Sequence, residues 1–206
     1  DVLLMKMKKF ALLLALFTLL SCSFAGATDV RDSESGTVYH INTSEDEDVI
    51  IDLPVNTPVT VIDENGIASV YEYTVEPSVT RSGSLRASVS RTASSKFGDY
   101  VGNAYFTLWA DATWENQTVT IDDCGLNYSG TLCIVSPDST EITRKTASRN
   151  QMAKVRTWGD MTFTVPTIGE WASGNYDFEL HLDPANMSEH GYLKVNDNSG
   201  FFGQGD

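Results

Sequence analysis

AYFTLWADATW, residues 104–114, decides the fold class, because its apolar and polar positions alternate in period two over the whole stretch. Phe106, Leu108, Ala110, Ala112 and Trp114 fall on one side, and Tyr105, Thr107, Trp109, Asp111 and Thr113 on the other. Successive side chains of a strand point to opposite faces, so the first set predicts a core face and the second a mixed polar and aromatic face.

Toward the C-terminus, Glu115, Asn116 and Gln117 turn the chain into a second strand over 118–121. Strand-like runs recur at 131–135, 141–144, 153–158, 161–165, 176–182 and 192–195. Turn formers separate them: Ser136-Pro137-Asp138, Gly159-Asp160, Ser173-Gly174-Asn175, Asp183-Pro184 and Asp197-Asn198-Ser199-Gly200. Short strands at this spacing, without a convincing amphipathic helix, predict an all-β fold with an antiparallel β-sandwich over residues 100–206.

Toward the N-terminus, runs at 37–41, 49–53, 58–62 and 67–75 predict a small acidic β-hairpin unit over 28–77. Its turn is Asp63-Glu64-Asn65-Gly66, since Asn-Gly accepts the positive φ angles of a tight hairpin. Residues 78–99 join the two blocks. They are rich in Ser and Arg, and Arg81, Arg86 and Arg91 recur every five positions, which is neither the strand nor the helix period. The segment reads as a linker, with an edge strand over 84–92 or a protease-sensitive junction as the alternatives.

Residues 1–27 read as an upstream extension followed by an N-terminal signal peptide. Lys6, Lys8 and Lys9 precede an uncharged apolar run over 10–20, too short for a membrane span, and Ala25-Gly26-Ala27 suits cleavage before Thr28. Leu19-Leu20-Ser21-Cys22 resembles a lipobox with a poorly fitting Leu20, so the expectation is a secreted protein, with a lipid anchor on Cys22 as the alternative. Export into an oxidising compartment predicts that Cys124 and Cys133, separated by turn formers, pair as a disulfide.

The chain carries a formal charge of −14, and removing residues 1–27 takes away three lysines and one aspartate. A protein this acidic is a poor partner for nucleic acid or anionic lipid. Glu45, Asp46, Glu47 and Asp48 offer oxygens to a cation but lack the Gly and distal Glu of a calcium loop, so they read as a solvated loop and no metal is expected. His181 alternates with Asp177, Glu179 and Asp183, which reads as the solvated face of a half-buried strand. No Gly-x-Ser-x-Gly elbow, Ser-x-x-Lys motif or metal spacing accompanies the three histidines, so neither an enzyme nor a cofactor is expected. Of the four tryptophans, Trp114 and Trp158 are expected in the core. Trp109 shares its side with Tyr105 and Asp111, the mixture that stacks on sugar rings, and these three are the expected binding residues.

The order of features is similar to that of a group of small secreted proteins of unknown function from Gram-positive bacteria: a signal peptide, an acidic strand pair turned at Asp-Glu-Asn-Gly, a Ser-rich middle, a strand block entered through Tyr100-Val101-Gly102-Asn103-Ala104, and a final strand with a Gly-containing turn near 191–200. The resemblance implies a β-sandwich and carries no catalytic residues. The expected role is a secreted or surface-retained, non-catalytic module binding a glycan, envelope component or protein. A secreted precursor, cleaved near Arg81 to Arg91 to release a toxin-like or bacteriocin-like domain, is the alternative.

Overall fold

The alternation over 104–114 is realised in a longer strand, Tyr100–Glu115, whose Phe106, Leu108, Ala110 and Ala112 are buried on one side. The structure, a computed structural model, describes residues 27–32, 36–41, 50–62, 68–79 and 82–196. Among them are thirteen strands and no helix: β1 (Ala27–Asp32), β2 (Gly36–Ile41), β3 (Ile50–Pro54), β4 (Val59–Ile62), β5 (Ala68–Pro77), β6 (Leu85–Phe97), β7 (Tyr100–Glu115), β8 (Thr118–Thr131), β9 (Cys133–Arg144), β10 (Thr146–Ser148), β11 (Ala153–Val165), β12 (Gly169–Leu182) and β13 (His190–Val195).

The strands form two sheets. The larger runs β1-β2-β4-β5-β6-β7-β8-β10 and the smaller β3-β13-β12-β11-β9, and every strand pair is antiparallel except β2 with β4. The sheets meet through aromatic rings, with Phe106 of β7 4.5 Å from Tyr176 of β12 and Tyr71 of β5 6.3 Å from Phe178. Room for these rings comes from small inward residues, Ala87, Val89 and Ala93 on β6 and Ala104, Ala110 and Ala112 on β7, all fully buried. Large opposite small across two faces is how a core reaches close packing without voids.

Several expectations change. The segment that reads as a linker contains β6, a thirteen-residue strand paired along its length with β7 and along most of it with β5. Its signal is concealed because its outward residues from Ser88 to Ser94 are Ser and Thr and one inward residue is Arg91, only 3% exposed. Burying a guanidinium is costly without compensation. Here it lies over Tyr71, Phe106 and Phe178, at 5.4, 5.9 and 5.6 Å from their centroids, and Nη2 donates to Ser69 Oγ. Arg86 and Arg91 both lie within this paired strand, so cleavage at either would require its extraction from the sheet.

The two expected blocks also share sheets. β3 pairs with β13, the last described strand, and β5 pairs with β6. Three expected turns are absent. Pro137-Asp138 and Gly159 lie at a bulge between β9 and β11, and Ser173-Gly174-Asn175 runs within β12. Gly159 is needed there for close approach: a Cβ would meet Ser136 O at 2.4 Å and Tyr176 Oη at 2.8 Å. Trp158 is not in the core either, because it alternates with buried Thr157 and Gly159 and so sits on the outer side of β11.

The expected disulfide does not form, and both cysteines are free. Cys124 lies within β8, and the extended run from it to Thr131 covers about 23 Å at the rise of a strand. Cys133 follows at the far end, where it packs against Gly130, well beyond the ~7 Å Cα separation a disulfide tolerates. The expected signal peptide up to residue 26, with Cys22, the acidic cluster at 45–48, the expected Asn65-Gly66 turn, Arg81 and the expected turn at 197–200 lie outside the described residues. Alkylation of the denatured, unreduced protein should label both Cys124 and Cys133, and a mass two hydrogens short with both thiols blocked would contradict this strand geometry.

Candidate functional site

Tyr105, Trp109 and Asp111 stand on the outer side of β7, as their spacing predicts, but they are not equivalent. Asp111 is 1% exposed. Arg86, directly across on β6, grips it with two hydrogen bonds, Nε to Oδ1 and Nη2 to Oδ2, both 2.8 Å. The hydrogen bond to Asp111, with the added field of Glu76 and Asp123, pushes the Arg86 pKa up. This fork is a planar, charge-assisted pair, the strong form of such contacts.

Trp109 is partly buried by the same arrangement. The Arg86 guanidinium carbon is 4.3 Å from its ring centroid. Its indole lies over Gly125, its partner on β8, where a Cβ would come within 2.5 Å of the ring. Trp109 and Asp111 are therefore held in place by β6 and β8, while Tyr105, at 40% exposure, presents its ring to solvent between Thr92 and Ser129. Around them lies a field of small hydroxyl and amide groups. Ser88 and Thr74 hydroxyls are 2.8 Å apart, Ser94 donates to Asn103 Oδ1 at 2.6 Å, and Ser90, Thr92 and Thr107 occupy the same outer face.

The outer face of the smaller sheet carries a second constellation that the sequence pattern does not disclose. Arg156 on β11 forks Asp177 on β12 and lies 5.3 Å from the ring of Trp158. Next along β12, Glu179 accepts from Thr143 at 2.6 Å and Lys154 at 3.3 Å, and its Oε1 is 2.5 Å from His181 Nε2. The row Asp177, Glu179, His181 does share a face, but that face is not solvated, since His181 is 1% exposed and cross-strand Lys154 and Tyr192 flank it. Its Nδ1 is buried without a partner. Burial would raise the pKa of Glu179, but the hydrogen bonds from His181 and Thr143 and the charges of His181 and Lys154 outweigh it and bring the carboxyl down to about 2. His190 meets Asp52 at 2.8 Å in a more exposed pair on β13 and β3.

No three His, Cys, Asp or Glu among the described residues are grouped to hold a metal ion. The cross-strand members of both constellations, Arg86 in one and Arg156, Lys154 and Thr143 in the other, escape sequence reading for the same reason: they come from adjacent strands, and pairing register is not written in one strand. No family model matches the chain, and no curated protein or solved structure matches it.

Two outcomes follow. Asp111→Ala leaves the Arg86 guanidinium without its fork and should cost about 2 to 3 kcal/mol in urea unfolding at neutral pH. The depressed Glu179 contributes stability that is complete above about pH 4.5, the ordinary value, and disappears as pH falls toward about 2. Glu179→Gln should therefore unfold about 2 to 3 kcal/mol more easily at pH 7, and the gap from wild type should close by about pH 2. A gap that does not change with pH would contradict the network.

Proposed function

We propose that this protein is a secreted or surface-retained, non-catalytic β-sandwich binding module, and that its ligand surface is the outer face of the larger sheet around Tyr105. One observation carries the reading: an exposed aromatic ring stands in a flat field of Ser, Thr and Asn side chains, beside a Trp-Arg-Asp cluster whose charges are already paired. Such a face can stack an apolar ring face and exchange hydrogen bonds with hydroxyls. A glycan of the cell envelope or of a host surface fits this chemistry. The signal-like N-terminus supports the location, with release as the first reading and a lipid on Cys22 as the other.

The roles differ within the face. Tyr105 is the contact residue, while Trp109, Arg86 and Asp111 hold the neighbouring surface rigid. Tyr105→Ala should lower retention on insoluble cell-wall or glycan material at least tenfold with an unchanged melting temperature, while His190→Ala on the opposite sheet leaves retention intact. Equal retention of wild type and Tyr105→Ala across a range of glycans would rule out this face.

A further inference from the structure

We propose that the free edge of β8 joins two copies of this chain by antiparallel strand pairing. β8 is paired with β7 along its whole length, but on its other side β10 covers only Thr118 to Thr120. The last backbone bond there is Ile121 N to Lys145 O at 2.8 Å, and no described strand pairs that edge from Asp123 to Thr131. An unpaired edge is a row of open backbone donors and acceptors and a template for another strand.

Exposure and composition mark the same segment. Asn127, Tyr128, Ser129, Gly130 and Thr131 are all exposed in succession, so both sides of the strand reach solvent. Tyr128, which points the same way as buried Phe106, is 50% exposed. From Gly125 to Pro137 there is no charged residue, in a chain of which 20% of residues are charged. The edge of the smaller sheet shows the contrast. β9 carries Pro137, Asp138, Glu141 and Arg144, and its register against β11 is broken by bulges that leave Asp138 and Thr143 unpaired. Charges, proline and bulges are the devices that prevent edge pairing, and the outer half of β8 has none of them.

The absence of charge selects the occupant. Two molecules of charge −14 repel each other, so a self-contact must keep their acids apart. Antiparallel pairing centred on Tyr128 sets Tyr128 against its own copy, Asn127 against Ser129, Leu126 against Gly130 and Gly125 against Thr131, with no charged residue in the ladder. Asp122 and Asp123 then fall beyond the other copy's Thr131, where its chain leaves the strand at Leu132, which has φ 52°. The contact is isologous and closes on a two-fold axis, joining the two larger sheets into one. A cationic partner would gain nothing from an edge without charge.

Sedimentation equilibrium on the intact protein tests the pairing. The expected result is a monomer–dimer equilibrium that tightens with salt. Asn127→Lys with Ser129→Lys should weaken it at least tenfold at unchanged melting temperature, while Thr57→Lys with Gln151→Lys, the same added charge placed elsewhere, does not weaken it. If the β8 lysines impair folding, Tyr128→Cys in a Cys124→Ser, Cys133→Ser background replaces them: facing strand residues are ~4.5–5.5 Å apart, so a disulfide-linked dimer should form. A monomer at concentrations on the order of 100 μM, a dimer indifferent to the β8 lysines, or a monomer that instead takes up a foreign extended peptide at β8 would each overturn the proposal.

Discussion

The structure depends on a complementarity of size between the small inward residues of β6 and β7 and the aromatic rings of β5 beside them and of β12 in the facing sheet. Ala87, Ala93, Ala104, Ala110 and Ala112 are small inward residues of the larger sheet, and Tyr71 and Tyr73 of that sheet and Tyr176 and Phe178 of the smaller one are buried with them. Neither set would bury itself alone, since an alanine face has little area to remove from water and a ring needs a cavity of its own shape. The same fit explains why Arg91 can stay inside, for its guanidinium takes a place in the ring stack as a flat group. It also requires β6 to lie between β5 and β7, so the Ser/Arg-rich middle of the chain is structural.

The outer faces follow from how the inner ones are filled. With the apolar residues directed inward, each sheet carries its polar residues outside, and there a Trp, an Arg and a carboxylate cluster across neighbouring strands: Trp109, Arg86 and Asp111 on one sheet, Trp158, Arg156 and Asp177 on the other. Pairing the charges removes the cost of holding them near apolar rings and leaves both tryptophans partly covered. Other features of the described surface lack such cover. Tyr105 is one, and the uncharged outer half of β8 is another.

Legibility was uneven for physical reasons. β7 shows itself because its period-two alternation is strong and its inward residues are apolar. β12 is read only from residue 176, because Ser173, Gly174 and Asn175 resemble a turn, and pairing with Met161 and its neighbours keeps them extended. β11 reads as two strands around Gly159, where a bulge and the Tyr176 hydroxyl need a residue without a side chain. Tyr105, Trp109 and Asp111 are placed correctly on one face by alternation alone, yet only Arg86 and Gly125, brought in by adjacent strands, separate the exposed ring from the fixed ones. The cysteine pairing fails through the same blind spot, since turn-forming residues between Cys124 and Cys133 are held straight by β7.

Side-chain alternation is local, and so the sequence by itself determined the all-β class, the inner face of β7 and the absence of charge along residues 125–137. Register, strand order and the partners of each polar group are decided by contacts between distant segments. Only the tertiary structure therefore made the Ser/Arg segment a core strand, joined β3 to the last described strand, kept the two thiols apart, and placed His181 and Glu179 in a buried network on a face that pattern alone assigns to water.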